Sequence, residues 1–423
     1  MDYLLKGVLD HTGGEAVRRD LVLGPQGPLF DPGLWPQGPF VLVEGKDLHL
    51  FPGFTDVHVH LREPGFSYKE TIASGTRAAA RGGFATVCAM PNLNPVPDGP
   101  ETLKPQLELI EKSAVVRVLP FGAITRGQAG QDLSDMAGMA KDVVGFSDDG
   151  RGVQAEGVMR RAMLSARDLG QIIAAHCEEE ALLQGGYIHA GDYARAHGHQ
   201  GISSESEWRQ VARDLALAEE TGCRYHVCHV SAKESVALIR KAKARGVDVS
   251  CETAPHYLLL DDSQLKEAGR FKMNPPIRGP KDRQTLIEGL QDGTIDMIAT
   301  DHAPHSAAEK SGGLKDSLNG VVGLETAFAA LYTCLVRPGE LSLTRLIDLM
   351  AHQPGRRFHI NDQGDCTLFD LGEKGRIDPE TFLSQGKSTP FEGMAVYGRC
   401  VMTTSGGKTA WLDEAYFDQE GLG

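Results

Sequence analysis

The sequence predicts an α/β fold, a parallel (β/α)8 barrel of the TIM type joined to a small β-sandwich module. Three observations predict this fold. Eight short β-rich runs alternate with longer amphipathic or alanine-rich segments that end near glycines. Polar residues follow several of these runs, as they do at the active-site rim of a barrel. Both ends of the chain are instead rich in glycine, proline and short β runs.

The eight runs are the predicted barrel strands. Strand and helix repeated eight times predict a closed barrel, in which all strands are parallel. The alternative is an open doubly wound sheet, which usually has a glycine-rich phosphate turn after its first strand. Here that position has Arg62-Glu-Pro-Gly65. The predicted strands are residues 54–60, 84–90, 115–121, 143–147, 171–176, 224–230, 247–252 and 294–300.

The remaining segments define the predicted organisation around these strands. Residues 68–81, 205–220 and 233–245 are predicted helices that cover the barrel. Residues 1–51 and 362–423 are predicted to form one β-sandwich module from both termini, with the barrel at residues 52–361 between them. Residues 187–201 are polar and glycine-rich and predict a surface excursion. Residues 306–320 have a similar composition beside the predicted site and indicate a lid.

Charge and composition limit the classes of partner. The net charge is -14 and the pI is about 5.5, which argues against nucleic acid or an anionic membrane as a partner, since both call for basic patches. The chain has no apolar run long enough to span a bilayer, and its first residues do not resemble a secretory signal. Its eight cysteines form no close pairs, which is typical of reduced thiols. We therefore expect a cytoplasmic protein.

Two histidines on the first predicted strand indicate a metal site. His58 and His60 share one face of the strand because side chains alternate between faces. An isolated pair of this kind is more often buried for structural reasons, but further polar residues follow the other predicted strands. Four imidazoles and two carboxylates suit two metal ions, with zinc the best match and manganese or cobalt as alternatives. The further residues are Asn92, Asp148, Asp149, His176, His229 and Asp301.

Two cysteines adjoin candidate ligands, so thiolate ligation has to be considered. Cys177 follows His176, and Cys228 precedes His229. If both histidines face the site, strand alternation turns their immediate neighbours away from it. The sequence therefore predicts a site built from nitrogen and oxygen ligands.

These motifs together resemble the dihydroorotase family of the long bacterial type (class I), within the cyclic amidohydrolase superfamily. The resemblance runs in order from about residue 51 to residue 325. It implies an amidohydrolase barrel that closes N-carbamoyl-L-aspartate reversibly to L-dihydroorotate and water in pyrimidine synthesis. The motifs are Pro52-Gly-Phe-Thr-Asp-Val-His-Val-His-Leu-Arg-Glu-Pro-Gly65, Met90-Pro-Asn92, Phe146-Ser-Asp-Asp-Gly150, Ala175-His-Cys-Glu178, Tyr225-His-Val-Cys-His-Val-Ser231, Lys272-Met-Asn-Pro-Pro276 and Ala299-Thr-Asp-His-Ala-Pro-His305.

The resemblance also implies the ligands of two zinc ions per subunit. It assigns His58, His60 and Asp301 to one ion, and His176 and His229 to the other. It assigns Asp149 as the bridging carboxylate, although the residues alone leave Asp148 and Asp149 equivalent. Many relatives use a carboxylated lysine as the bridge, but the nearest lysine, Lys141, precedes the fourth predicted strand and would lie at the opposite rim.

The implied chemistry is attack of a metal-bridged hydroxide on the ring carbonyl, with Asp301 as general base and acid. The substrate also has a carboxylate outside the ring, and a guanidinium can bind such a group through two hydrogen bonds. The resemblance implies a clamp of Arg62, Asn92 and His305 for this carboxylate. It implies further substrate contacts from His60, Asn274 and the backbone of Asn319 and Gly320. Where the family often has proline and an aromatic residue before this glycine, the chain has Leu318 and Asn319.

Three other functions remain as alternatives. Another cyclic amidohydrolase, such as an allantoinase or dihydropyrimidinase, would use the same metal rim, but a carboxylate clamp is superfluous for a neutral dihydropyrimidine. A non-catalytic scaffold for aspartate carbamoyltransferase would be expected to have lost metal ligands. A metal-storage protein leaves Arg62, Asn92 and His305 unexplained. We also expect a homodimer, with association with aspartate carbamoyltransferase as a further possibility.

Overall fold

The computed structural model describes residues 2–13, 15–24, 27–29, 40–361 and 363–420. Strands occupy both ends of the chain and alternate with helices in its middle. The strands are β1 Asp2–Asp10, β2 Val17–Gly24, β3 Gly27–Leu29, β4 Phe40–Glu44, β5 Leu48–Pro52, β6 Phe54–Val59, β7 Phe84–Ala89, β8 Arg117–Pro120, β9 Ile172–Ala175, β10 Ile188–His189, β11 Gly201–Ile202, β12 Arg224–Val227, β13 Val249–Thr253, β14 Met297–Ile298, β15 Cys366–Arg376, β16 Ala395–Ser405 and β17 Lys408–Leu412.

The helices lie mainly between the strands of the middle region. Two of them continue through π-helical turns, at Tyr332–Val336 and Asp348–His352. The α-helices are α1 Ile72–Arg81, α2 Pro100–Ser113, α3 Met136–Met139, α4 Glu156–Asp168, α5 Asp192–His197, α6 Glu205–Thr221, α7 Lys233–Ala244, α8 Pro255–Leu259, α9 Pro280–Asp292, α10 Gly313–Asp316, α11 Ala327–Leu331, α12 Leu343–Ile347, α13 Gln353–Arg357 and α14 Glu414–Glu420. Within the part of the chain that the structure describes, no helix is long and apolar enough to cross a bilayer.

Parallel strands form a closed ring, which confirms the predicted barrel. One arc is β6-β7-β8 and the other is β9-β12-β13-β14. Single bridges at Phe146 join the arcs on one side, to Gly122 and to Ile173, and a bridge from Val59 to His302 closes the other. Seven of the predicted runs contain strands. The fourth, at residues 143–147, differs because it contributes only the bridges at Phe146.

Local sequence explains how the barrel layers form. Strands β6 and β7 are buried along their whole length, as expected where helices cover a parallel sheet. Helix α1 begins at a capping box, in which the Thr71 hydroxyl accepts a hydrogen bond from the Ser74 amide, and it ends at Gly82. The predicted helices at 205–220 and 233–245 correspond to α6 and α7. The predicted excursion at 187–201 contains α5 and the short strands β10 and β11.

Both ends of the chain contribute to a second, eight-stranded sheet. Its order is β17-β16-β15-β5-β1-β2-β3, with β4 paired to β1. The central pair is antiparallel and places Leu50 of β5 opposite Leu368 of β15. The exact division at residues 51 and 361 stays a prediction.

Aromatic rings join this terminal sheet to the barrel. Phe51 of β5 and Phe369 of β15 pack against Phe54 of β6 and Phe328 of α11, and all four are at most 2% exposed. The ring centroids of Phe328 and Phe369 are 4.2 Å apart, and those of Phe54 and Phe328 are 5.3 Å apart. The two hydrophobic layers therefore meet in one continuous aromatic core.

Candidate metal centre

The predicted polar residues converge at one rim of the barrel. There they surround a cavity of about 210 Å³. His58 lies beneath the cavity and is fully buried. The other site residues that the family resemblance implies all line it, together with Gly150 and Ala303, whereas Asp148 does not. These predicted residues are His60, Arg62, Asn92, Asp149, His176, His229, Asn274, Asp301, His305, Asn319 and Gly320.

Asp149 occupies the centre of the four histidines. Its Oδ1 atom lies 3.3 Å from His58 Nε2, 3.4 Å from His229 Nε2 and 3.8 Å from His176 Nδ1. Its Oδ2 atom lies 3.5 Å from His60 Nε2. Although burial opposes it, the charges of the surrounding histidines, led by His58, hold the pKa of Asp149 well below its usual range. One carboxylate thus reaches both histidine pairs, as a bridging ligand must.

Asp301 approaches the pair His58 and His60 from the end of the eighth strand. Its Oδ1 atom lies 3.1 Å from His60 Nε2 and 3.5 Å from His58 Nε2. Burial opposes ionisation, but the hydrogen bond from His60 and the charge of His58 lower the pKa of Asp301 to about 2. The residue has a positive φ of 48°, and His229 (33°) and Arg62 (60°) share this strained conformation. Strain of this kind concentrates at functional sites.

The donor set fits a pair of metal ions. In the described chain, His58 Nε2 faces Asp149, is buried and has no hydrogen-bond partner, whereas His176 and His229 approach Asp149 through Nδ1 and Nε2. Burying a polar group without a partner is costly, so a ligand is expected for His58 Nε2. Two groups can bring ligand atoms within 4.8 Å of one another, namely His58, His60 and Asp149, and Asp149, His176 and His229. Both groups share Asp149.

Glu252 supports His58 from the side away from the cavity. Its Oε1 atom lies 2.7 Å from His58 Nδ1, and its Oε2 atom lies 3.0 Å from His226 Nε2. A carboxylate in this position fixes the tautomer of a metal-binding imidazole and leaves Nε2 free to bind. The sequence interpretation missed this residue. The available signal was its place at the end of the seventh predicted strand, where polar residues of the other strands had been recognised.

Cys228 lies beside the same histidine. His58, Cys228 and Glu252 form a third group whose ligand atoms approach within 4.8 Å. Alternation had been expected to keep this cysteine away from the site residues. Burial raises the pKa of the Cys228 thiol, so it stays protonated, and Glu252 is already bound to two histidines. A thiol is a poor metal ligand without its negative charge.

Asp148 and Asp149 diverge, although they are adjacent. Asp148 Oδ1 accepts hydrogen bonds from the amides of Ile124 (2.8 Å) and Thr125 (3.1 Å), and Oδ2 accepts one from the Thr125 hydroxyl. Burial raises the pKa of Asp148 to about 6 in spite of these donors. Its oxygens are therefore bound to the neighbouring loop, whereas those of Asp149 face the histidines.

The predicted carboxylate clamp lies on one side of the cavity. Asn92 Oδ1 accepts a hydrogen bond from His60 Nδ1 at 2.9 Å. Arg62 donates through Nε to the carbonyl of Pro304 at 3.2 Å, and its Nη2 lies 3.4 Å from His305 Nε2. Burial lowers the pKa of Arg62 to about 10, so the guanidinium remains charged at neutral pH. A cation and an amide therefore stand next to the candidate metal ligands.

Asn274 and Gly320 complete the wall. Asn274 Nδ2 donates to Glu178 Oε1 at 2.9 Å, and Glu178 Oε2 lies 3.6 Å from His176 Nε2. The sequence interpretation gave Glu178 no role, although it stands in the quoted motif with His176. Gly320 has a φ of +134°, and a Cβ atom there would lie 2.6 Å from the carbonyl of Ala303. Only glycine fits this position without a backbone shift.

A buried lysine anchors the segment predicted to be a lid. Residues 306–320 contain a short 3₁₀ turn, Ala308–Lys310, and helix α10. Lys310 Nζ donates to the carbonyls of Lys272 (2.9 Å), Leu318 (2.7 Å) and Gly320 (2.7 Å). An ammonium has three donors, and all three are used. The segment is thereby tied to the loop that precedes Asn274.

Comparison with known sequences gives one consistent group of relatives. Residues 48–235 match a family model described as dihydro-orotase-like. A dihydroorotase of Fusobacterium nucleatum subsp. nucleatum is 49% identical over 381 residues, 88% of this chain and 90% of the relative. A dihydroorotase of Bacillus licheniformis is 45% identical over 424 residues, 98% of this chain and 99% of the relative.

Solved structures share the architecture of the whole chain. An L-hydantoinase (dihydropyrimidinase) from Arthrobacter aurescens superimposes with a TM-score of 0.83 at 25% identity, over 97% of this chain and 96% of its own. A D-hydantoinase gives a TM-score of 0.82 at 22% identity, over 98% and 96%. At 22% identity the second similarity concerns the fold alone.

Proposed function

The chain belongs to the dihydroorotase family of cyclic amidohydrolases, and from this premise we propose that it interconverts N-carbamoyl-L-aspartate and L-dihydroorotate. Its relatives by sequence are named dihydroorotases, and the chain aligns with nearly their full length. The observation that carries the proposal is the position of Arg62 and Asn92 beside the histidine and aspartate cluster in one cavity. This arrangement supports the proposal because a cation beside the metal cluster would suit a substrate with a carboxylate next to the reacting amide.

The proposed ligands of two zinc ions are those that share Asp149. His58, His60 and Asp301 would hold one ion, and His176 and His229 the other. The buried His58 Nε2, which faces Asp149 without a hydrogen-bond partner, supports this assignment, and nitrogen and oxygen donors suit zinc. Bound ions would supply Lewis-acid activation of the attacking water and of the ring carbonyl.

Asp301 is the proposed general base and acid. In ring opening, it accepts a proton from the attacking water while the water oxygen bonds to the ring carbonyl carbon. It then donates this proton to the ring nitrogen as the carbon–nitrogen bond breaks. Closure reverses both transfers. The low pKa of Asp301, about 2, supports the role because the carboxylate starts in the form that accepts a proton.

The proposed clamp for the carboxylate outside the ring consists of Arg62, Asn92 and His305. Further substrate contacts are proposed for His60, Asn274, Asn319 and Gly320. Arg62 would bind this carboxylate through parallel hydrogen bonds, which also fixes the orientation of the ring. Orientation is a large part of catalysis because the reacting atoms must stay aligned. A neutral ring would leave this half-buried guanidinium without a carboxylate partner, which is the expected basis of discrimination against dihydrouracil.

Two further proposals concern the assembly of the protein and its location in the cell. We propose a homodimer in the cytoplasm, where the eight unpaired cysteines would stay reduced. Association with aspartate carbamoyltransferase stays a prediction. Dimer formation is tested by light scattering of the purified protein over a range of concentrations.

The decisive experiment measures hydrolysis of L-dihydroorotate by zinc-loaded protein, with dihydrouracil and allantoin assayed in parallel. We expect turnover of dihydroorotate alone. In Asp301→Asn the rate should fall by about 10²–10⁴-fold, the usual contribution of a general acid or base. Turnover of a neutral ring would instead identify a hydantoinase-like enzyme, and no turnover by metal-loaded protein would favour the scaffold function.

A further inference from the structure

Lys69 is a buried cation beside the cavity that the proposed reaction does not use. Its side chain is 10% exposed and pairs with Glu309, with Nζ 2.9 Å from Oε1. The ammonium also lies 5.6 Å from the ring centroid of Phe66 and 5.5 Å from that of Tyr68. Its remaining polar neighbour is an imidazole, because Nζ lies 3.3 Å from His305 Nδ1. Lys69 therefore contacts His305 of the clamp at Nδ1, the ring nitrogen that does not face Arg62.

Two contacts fix the protonation of His305. Its Nε2 atom lies 2.7 Å from the carbonyl oxygen of Asn319, which can only accept, so Nε2 must carry a hydrogen. Its Nδ1 atom faces the ammonium of Lys69, which can only donate, so Nδ1 must be unprotonated. Together they allow one form, the neutral imidazole with its hydrogen on Nε2. That nitrogen is also the one that lies beside Arg62.

The surrounding charges agree with a neutral ring. Arg62 and Lys69 are the nearest cations, and Glu309 is the facing acid. Lys310 is a further neighbour, but burial and the charge of Lys272 lower its pKa to about 7, so it is only partly charged at neutral pH. Burial together with the charges of Arg62 and Lys69 lowers the pKa of His305 to about 3. Glu309 Oε2 is 3.6 Å from Nδ1, too far for a hydrogen bond, and it already accepts from the amide and hydroxyl of Ser306.

We propose that Lys69 is a positioning residue of the carboxylate clamp, which keeps Nδ1 of His305 unprotonated so that the neutral imidazole stays beside Arg62 with its Nε2–H bound to the Asn319 carbonyl. The inference rests on the proposed function, in which the clamp binds the carboxylate of dihydroorotate. Lys69 acts through His305 and does not touch the substrate. Its pairing with Glu309 keeps the ammonium in place, since a buried cation needs a counter-ion.

Removal of the Lys69 ammonium should allow His305 to be protonated on Nδ1. In Lys69→Met, Glu309 loses its cation and becomes an acceptor for a hydrogen on Nδ1. The Asn319 carbonyl still requires the hydrogen on Nε2, so the neutral form at high pH is that of the parent, whereas an imidazolium can form at low pH. A hydrogen bond from Nδ1 to Glu309 would then draw the imidazole away from its place beside Arg62. The variant should therefore bind dihydroorotate normally in alkali and poorly in acid.

The test compares Lys69→Met and Lys69→Arg with the parent protein in two measurements. The first is the ¹⁵N spectrum of the imidazoles, in which the His305 signal is the one absent from His305→Gln. The second is KM and kcat for dihydroorotate between about pH 6 and pH 8.5, which brackets the ordinary imidazole pKa of about 6.5. Lys104→Met is the matched control because Lys104 is 67% exposed on α2 and, among the described residues, forms an ion pair with Glu108 alone, at 4.0 Å.

We expect His305 Nδ1 to remain unprotonated across this range in the parent and in Lys69→Arg, and to titrate in Lys69→Met. The KM ratio of Lys69→Met to parent should be about tenfold at the acid end and below about threefold at the alkaline end, with kcat nearly unchanged. An unchanged His305 spectrum, or a KM ratio that does not vary with pH, would overturn the inference. Failure of the parent to hydrolyse dihydroorotate would refute the proposed function instead, and the spectra would still decide whether Lys69 fixes the tautomer.

Discussion

Asp148 and Asp149 show that the surroundings of a carboxylate decide whether it stabilises the rim or can bind metal. Asp148 accepts three hydrogen bonds from the loop at Ile124 and Thr125, whereas Asp149 faces four imidazoles. The first arrangement stabilises the rim, because its removal would leave buried amides without acceptors. The second can bind metal. The two residues should therefore respond differently to the same substitution.

We predict that Asp149→Ala loses metal and activity, whereas Asp148→Ala loses stability. Atomic absorption should show reduced zinc in Asp149→Ala, and kcat should fall by more than about a hundredfold, the upper end of the cost of losing an outer-shell partner. Chemical denaturation should show Asp148→Ala to be destabilised by about 1–3 kcal/mol, the cost of unsatisfied buried donors. Normal zinc content in Asp149→Ala, with depletion in Asp148→Ala, would reverse the assignment.

The sequence could predict the residue types at this rim but not the choice between these two aspartates. Side-chain alternation works only on a regular strand, and the fourth segment is not one. It makes single bridges at Phe146, after which the amide of Asp149 donates to the Ser147 hydroxyl. The backbone turns there, and each carboxylate takes its own direction. Glu252 was missed for another reason, since it supports a ligand and does not line the cavity.

Among the elements, the segment at residues 306–320 depends on one cation. Lys310 binds carbonyls at both ends of the gap between Lys272 and Gly320, and Lys272 Nζ in turn donates to the carbonyl of Lys315 at 3.0 Å. These bonds fix the backbone of Asn319 and Gly320 relative to Asn274. The composition of the segment indicated a lid. The burial of Lys310 could not be predicted because it depends on the carbonyl of Lys272, which is distant in the sequence.

We predict that Lys310→Met raises KM for dihydroorotate by about tenfold, because charge-assisted hydrogen bonds that hold the cavity wall are lost. The value of kcat should change far less, since the proposed metal ligands belong to other elements. Steady-state kinetics supplies both numbers. Lys315→Met is the control, as its exposed side chain lies on the same segment. A loss of kcat with unchanged KM would contradict the expected role.

Most elements of the barrel were predictable because its strands are short, buried and separated by amphipathic helices. The eighth run shows the limit of this approach. Only Met297–Ile298 form a regular strand there, and the closure depends on Asp56 of β6, which accepts hydrogen bonds from the amide and hydroxyl of Thr300. A polar contact between the first and last strands has no signature in local periodicity.

At the scale of the molecule, the aromatic core makes the barrel and the terminal sheet depend on each other. We predict that Phe369→Ala destabilises the protein by about 3–5 kcal/mol, the usual cost of removing a buried aromatic ring. Fluorescence and circular dichroism should still report one shared unfolding transition. As a control, Phe40→Ala should change stability by less than about 0.5 kcal/mol, because Phe40 is 42% exposed. Two separate transitions in the parent protein would show that the layers unfold independently.

The pairing of β5 with β15 has a consequence for folding during synthesis. Leu50 cannot pair with Leu368 until the ribosome has synthesised the whole barrel, which lies between them in the sequence. Until then the apolar edge of β5, including Phe51, has no cover and can associate with other nascent chains. Chaperone contact during synthesis should therefore persist until the last strands emerge, and chains released before Cys366 should aggregate.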